Sequence, residues 1–383
     1  MINREVKHFS THSFARKVRR MLWASLFIFL VGILILVGVL LALSPGKPYP
    51  IVDATGKPVP GSLSEKIWVP INGIQQGMFI QSKDPTNPVL LFLHGGPGMP
   101  EYWLTQRYPT GLETYFTVVW WDQRGSGLSY SPHIPPETMT YEQLIVDTVA
   151  VTNYLRDRFH QEKIYLMAHS GGTFFGIQVA ARAPELYYAY IGMAQMVYQL
   201  ESEQLAYSYA LAEYKKLGNT QMVRKLEAAP PTMTVPLPSA YDALRDGYMH
   251  ELGIGTTHEM KSVITGVFLP SWLSREFTLP EKLNLWRGKF YSMRMLRNTA
   301  FATDLTQQIT EVKLPVYFFS GAYDYTCNHT LSRSYFEKLK APLKGFYTFA
   351  HAAHSPLFEE PQKVQKILRE DVLNGTNRLA DAE

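Results

Sequence analysis

A single cysteine, Cys327, stands in 383 residues, which excludes an internal disulfide and any metal site built on thiolates. Charge is also scarce. Asp, Glu, Lys and Arg make up 18% of the chain, and the formal net charge is +4. Even this excess is local. Residues 1–20 carry six basic side chains (Arg4, Lys7, Arg16, Lys17, Arg19, Arg20) against Glu5, a net of +5, so the rest of the chain sums to 4 − 5 = −1. A nearly neutral body without basic–aromatic patches does not point to nucleic acid. Phosphate-cradling glycine patterns are missing, both the P-loop and G-x-G-x-x-G. The histidines fall in separate segments without metal-ligand spacing, so neither a metal nor a cofactor is expected. There is no internal repeat and no low-complexity tract.

What the chain does have begins with residues 21–43, which contain no charge and one hydroxyl, Ser25. At about 1.5 Å per residue they make roughly 34 Å of helix, enough to cross a hydrocarbon core of about 30 Å. The run exceeds the h-region of about 7–15 residues found in cleaved signal peptides. The expectation is therefore a single-pass anchor. The basic residues before it place the N-terminus in the cytoplasm and the remainder across the membrane. A Pro- and Gly-rich linker follows over 44–64.

From residue 65 short apolar runs alternate with helical periodicity. Strands are expected at Lys66–Val69, Met78–Gln81, Val89–Leu93, Phe116–Trp121, Ile164–Met167, Tyr187–Met196, Leu314–Ser320 and Gly345–Phe349. Helices are expected at Tyr141–Phe159, Thr330–Lys340 and Gln362–Leu373. This alternation predicts an α/β class, with a mostly parallel sheet covered by helices on both faces. Residues 198–310 lose the alternation and read as helices (Glu201–Leu217, Thr220–Ala229, Ala240–Leu252, Leu283–Asn298) broken by prolines at 230–238. They are expected to form a helical cap inserted between two halves of the core, 65–197 and 311–383.

The expected strand Ile164–Met167 runs directly into Ala168-His169-Ser170-Gly171-Gly172 and then a helical pattern. Strand, tight turn and helix with a serine at the apex is the nucleophile-elbow arrangement of the α/β-hydrolase fold. Ala168 replaces the usual first glycine and keeps the side chain small. A serine hydroxyl needs a base, and the base needs an orienting acid. In this fold the order along the chain is Ser, acid, His. Asp324 follows one expected strand, and the next leads to His351 and His354, with His354 in the loop where a base reaches the elbow. The oxyanion hole is assigned to the amides of Gly171 and of Gly96 in His94-Gly-Gly-Pro-Gly98, with Gly95 the alternative. Trp121-Asp-Gln-Arg-Gly-Ser-Gly127 reads as a structural turn at the rim.

These motifs together resemble the proline iminopeptidase (prolyl aminopeptidase) family of α/β hydrolases. The resemblance rests on His94–Gly98, Trp121–Gly127, His169–Thr173 and Gly321-Ala-Tyr-Asp324, and covers roughly residues 65–195 and 312–372. It implies a serine hydrolase acting on small substrates or short peptides with a free N-terminus, with Ser170, Asp324 and His354 as its triad. In that family cap glutamates bind the substrate amine. Here Glu201, Glu203 and Glu213 open the cap, and Glu201 and Glu203 are the expected amine-binding residues. An ester or lactone substrate, and a non-catalytic binding protein of the same fold, remain open alternatives. The sequence does not indicate an oligomeric state.

Overall fold

The computed structural model describes residues 11–382, with side chains from residue 16 onward; Arg4, Glu5 and Lys7 of the basic segment lie outside the described residues. Helix α1 (Thr11–Ala42) takes in the remaining basic residues as well as the apolar run. Its stretch Arg16–Ala42 is long and apolar enough to cross a membrane, and none of its apolar window packs inside the protein.

The body is built on one eight-stranded sheet in the order β1-β2-β4-β3-β5-β6-β7-β8. The strands are β1 (Leu63–Ile71), β2 (Ile74–Ser82), β3 (Val89–Leu93), β4 (Thr117–Trp121), β5 (Ile164–His169), β6 (Tyr187–Met193), β7 (Val316–Gly321) and β8 (Lys344–Phe349). β1 and β2 form an antiparallel hairpin that joins β4 antiparallel; every pairing from β4 to β8 is parallel. All residues of β3, β4, β5 and β7 are buried, as expected of parallel strands covered on both faces.

Alternate residues feed two cores. Val89, Leu91 and Leu93 face α2 (Tyr141–Phe159) and α3 (Gly171–Arg182). Leu90 and Phe92 face Tyr102, Trp103 and the C-terminal segment around Leu357, Val364 and Leu368. α2 begins at Thr140, whose hydroxyl accepts the Gln143 N–H (3.1 Å), and ends on left-handed His160.

Between β6 and β7 the chain leaves the sheet for its helical insertion. This contains α4 (Gln199–Lys216), α5 (Thr220–Glu227), α6 (Ser239–Glu251), α7 (Leu269–Leu273), α8 (Leu279–Ala302) and the short α9 (Leu305–Gln308). A π-helical stretch, Ile264–Phe268, runs into α7. The insertion has a core of its own, including Ala206, Tyr214, Leu226, Tyr241 and Tyr248. α8 starts at a capping box of Thr278 and Glu281, and the Glu281 carboxylate also pairs with Lys66 of β1 (2.9 Å), tying cap to sheet. The helix Ile264–Leu273 carries no expectation from the sequence, because its run is apolar all round and shows no amphipathic period. After β7 come α10 (His329–Lys338), α11 (Pro356–Glu359) and α12 (Pro361–Ile367). The last ends in a π turn where the periodicity predicts an unbroken helix to Leu373.

Candidate active site

Ser170 stands at the end of β5 with φ +54° and ψ −127°, a conformation rarely adopted by a residue with a side chain. The surroundings enforce it. The Ser170 N–H donates to the Met193 carbonyl of β6 (3.0 Å), and its own carbonyl accepts the Thr173 N–H (2.8 Å). α3 departs so close to the sheet that a Cβ on Gly172 would collide with the Leu93 carbonyl and sit 2.6 Å from that of His94. Ala168 is itself against α3, 3.0 Å from where a Cβ on Gly176 would lie. The need for a small residue there is therefore real, and Ala meets it.

His354 Nε2 lies 2.7 Å from Ser170 Oγ, and His354 Nδ1 lies 3.1 and 3.0 Å from the two Asp324 carboxylate oxygens. Asp324 is fully buried, and its Oδ1 also accepts the N–H groups of Thr326 and Cys327 (both 2.9 Å), so one side chain both caps a turn and faces the imidazole. His351 is exposed. The loop carrying His354 passes so close to β7 that any Cβ on Gly321 would collide with the Ala353 carbonyl. Glu359 accepts the Ala353 and Ser355 N–H groups (3.0 and 3.1 Å) and holds the loop on both sides of His354.

Gly96 and Gly171 line the cavity at Ser170. The Gly95 N–H is already donated to Glu101 Oε1 (2.9 Å), which removes Gly95 as the alternative amide. Gly171 is the first residue of α3, where an N–H has no intrahelical acceptor. The glycine loop is fixed from behind. Gln123 donates its side-chain amide to the His94 carbonyl (3.1 Å) and its N–H to His94 Nε2 (3.2 Å). Burial lowers the His94 pKa to about 4, which keeps Nε2 free to accept. In the same turn Arg124 pairs with Asp147 (2.7 Å) and Asp122 accepts the Leu128 N–H (2.8 Å).

A buried pair missed from the sequence connects these parts. Glu101 accepts the Gly95 N–H and lies 2.9 Å from His169 Nδ1; His169 Nε2 lies 2.8 Å from the His354 carbonyl. Both ring nitrogens face acceptors, so His169 is arranged as a doubly donating imidazolium. Burial opposes that charge, but the Glu101 carboxylate outweighs it and raises the His169 pKa. Burial likewise opposes the Glu101 charge, and His169 outweighs it and lowers the Glu101 pKa. The glycine loop, the serine turn and the histidine loop thus meet on one ion pair. A Glu three residues beyond Gly98 and a His before the serine carried no known pattern to find them by.

Two cavities meet at Ser170. One, about 280 Å³, is the more polar: Asp242, Arg245, Asp246 and Arg297 line it with Gln199 and Thr326, beside Met196 and Phe301, and Arg245 and Asp246 border the second cavity too. The other, about 420 Å³, is mainly apolar, with Trp103, Met249, Val267, Phe268, Trp286 and Met293 in its wall, and His354 opens into it alone. The expected amine-binding glutamates are not at either cavity surface. Glu201 is exposed on α4. Glu203 is buried, but its carboxylate is occupied by Arg245 (2.8 Å), Tyr241 (2.8 Å) and Gln199 (2.9 Å). The acids that do face the polar cavity, Asp242 and Asp246, come from α6; Asp242 is paired with Arg297 at 2.6 Å. Helical period placed them on a cap helix, but nothing local distinguished them from a solvated face.

Residues 112–361 match the family described as serine aminopeptidase, S33. The chain is 33% identical over 297 residues to the probable aminopeptidase YbaC of Bacillus subtilis, covering 76% of this chain and 91% of that one. It is 22% identical over 315 residues to the proline iminopeptidase of Lactobacillus delbrueckii subsp. lactis, covering 80% and 97%. Among solved structures it is similar to a proline iminopeptidase-related protein of Thermus thermophilus, with a TM-score of 0.56, 20% identity and coverage of 82% and 98%. By the family match over residues 112–361 and the identity to the Bacillus subtilis relative, the chain belongs to the serine aminopeptidase (S33) family of α/β hydrolases.

Proposed function

We propose that this protein is a membrane-anchored serine aminopeptidase that releases an N-terminal proline or another small residue through an acyl-enzyme. The observation that carries the reading is the chain Ser170 Oγ–His354–Asp324 at 2.7 and 3.0 Å, set between a polar and an apolar cavity. Ser170 Oγ attacks the scissile carbonyl carbon while its proton passes to His354 Nε2. Asp324 holds the ring and balances the imidazolium. The Gly96 and Gly171 amides take the charge developing on the carbonyl oxygen. As the C–N bond breaks, His354 returns the proton to the leaving amine. Water then attacks the acyl-enzyme by the same route and frees Ser170.

The position of His354 assigns the two cavities. The group that receives its proton must leave on the side where the imidazole is open, which is the apolar cavity. The acyl residue with its free amine then lies in the polar one. There Arg245 is neutralised from behind the wall by the buried Glu203 and Arg297 is paired with Asp242, so the Asp246 carboxylate is the charge left for a cation. Asp246, whose one charged partner among the described residues is Arg245 at 3.3 Å, is the carboxylate offered to the amine.

The test is labelling and turnover in parallel. Wild type labels with a fluorophosphonate and hydrolyses prolyl and alanyl 4-nitroanilides, while their N-acetylated forms are refused. Equal labelling of Ser170→Ala sinks the serine assignment. Equal turnover of N-acetylated substrates returns the site to general ester or lactone hydrolysis.

A further inference from the structure

The apolar cavity has its rim on the helix Ile264–Leu273. Ile264 and Phe268 line the cavity and are also 60% and 40% exposed. Along the same helix Leu269 and Leu273 are 48% and 59% exposed, and Phe290 of α8 is exposed as well. A contiguous apolar surface of this kind on a folded domain marks a contact with something apolar.

The linker shows what that is. The Leu43 carbonyl, one residue past the end of α1, accepts from Lys282 Nζ (2.9 Å), which also donates to the Trp272 carbonyl (2.7 Å). The Gly46 N–H donates to the Arg275 carbonyl (3.1 Å). Four residues span at most about 14 Å. The end of the apolar anchor and the apolar rim are therefore held together at one edge of the cap. The charge around the rim suits a lipid surface: with the buried Lys282 and Glu276 left out, residues 261–289 carry Lys261, Arg275, Arg287 and Lys289 against Glu281, 4 − 1 = +3.

We infer that the helix Ile264–Leu273 lies in the bilayer that holds α1, and that the apolar cavity opens into that bilayer. The substrate is then an amphiphile: an amino acid with a free amine, joined through its carbonyl to an apolar leaving group drawn from the lipid phase. This rests on the reading of the protein as a membrane-anchored serine aminopeptidase. Hydrolysis follows the steps given above, with the leaving group as the apolar amine or alcohol that accepts the proton of His354.

Full-length protein reconstituted into phosphatidylethanolamine vesicles containing anionic phosphatidylglycerol provides the test. The substrates are alanyl amides of ethyl-, butyl-, octyl- and dodecylamine, with alanyl 4-nitroanilide as the water-soluble reference. A cavity open to the bilayer gives kcat/KM rising by up to about 4,000-fold from ethyl to octyl, since each of the six CH₂ groups withdrawn from water is worth roughly a factor of four. A cavity open to water gives a flat series, or a falling one as the vesicles sequester the longer amides, and that result overturns the inference while nitroanilide turnover keeps the aminopeptidase reading. The exposed substitutions Leu269→Glu and Leu273→Glu are expected to abolish the chain-length gain and leave the nitroanilide rate unchanged. A readout independent of activity is labelling by a phospholipid with a photoactivatable acyl chain. Labelled peptides from both α1 and residues 264–273 support the inference; labelling confined to α1 overturns it, whatever the enzyme hydrolyses.

Discussion

Replacing Glu101 tests whether the site is held together by its buried ion pair. In Glu101→Ala the imidazolium of His169 loses its partner and the Gly95 N–H loses its acceptor, where both side chains are buried. Breaking a buried pair from one side costs about 3–5 kcal/mol. At roughly 2 °C per kcal/mol for a chain of this size, the midpoint of thermal unfolding should fall by about 6–10 °C. His169 holds the carbonyl of His354, so the base also loses its support, and a misplacement of about 1 Å lowers kcat on the order of 100-fold.

Glu101→Gln is the informative companion. Its amide oxygen still accepts from Gly95, and its NH₂ donates to Nδ1 of a neutral His169 that keeps Nε2–H on the His354 carbonyl. All bonds survive and only the charges go, so kcat should stay within a few-fold of wild type. The pH response should change. The raised His169 pKa contributes stability that is complete below the ordinary imidazole value of about 6.5 and is lost as pH rises through the folded value. The lowered Glu101 pKa contributes stability present above about 4.5 and lost as pH falls through its folded value. The midpoint difference between wild type and Glu101→Gln, followed by circular dichroism, should therefore shrink as pH is raised from neutral into the alkaline range. An Ala variant that melts within about 1 °C of wild type and keeps its kcat refutes the clamp.

Other consequences are as direct. Asp246→Asn should raise KM for free-amine substrates about 10-fold or more, the worth of a hydrogen bond to a charged group, while Glu201→Gln, on the exposed side of α4, should leave kinetics unchanged; the reverse pattern in steady-state assays would return amine binding to α4. Gly172→Ala must push α3 off the sheet, and a loss of about 1–3 kcal/mol with a matching fall in serine labelling is expected; wild-type unfolding in urea would show the approach to be looser than described. Burial raises the Asp122 pKa to about 8, with the Leu128 N–H only partly offsetting it. The stability it lends is complete below the ordinary carboxylate range and is lost as pH rises toward 8, so the midpoint of Asp122→Asn relative to wild type should climb between pH 5 and pH 8; a constant difference would rule out burial as the cause.

The sheet was legible because its strands are short apolar runs with turn residues at their ends. β3 begins and ends where its sequence predicts, and β4 to β8 differ by one to three residues at their ends. The amphipathic helix α2 was legible for the same reason. The helix Ile264–Leu273 was not, since a segment apolar on every side has no period to read, and neither were the short helices at 305–308 and 356–359, which are set by packing.

Within the site, local rules reached as far as single loops. A serine after a strand, an acid after the next but one and a histidine after the last follow from chain order alone, because parallel strands send all their C-terminal ends to one edge. Which amides face the serine required knowing that Glu101 takes the Gly95 N–H. Which acids border the pocket required knowing that Arg245 covers Glu203 and that α6, not α4, brings Asp242 and Asp246 to its wall. The sequence by itself determined the class, the elbow and the apolar N-terminal helix, since each is written in adjacent residues. Only the tertiary structure decided the Glu101–His169 clamp, the split between a more polar and an apolar cavity and the meeting of the end of α1 with the cap. Those depend on contacts between residues tens to hundreds of positions apart, whose proximity no local pattern encodes.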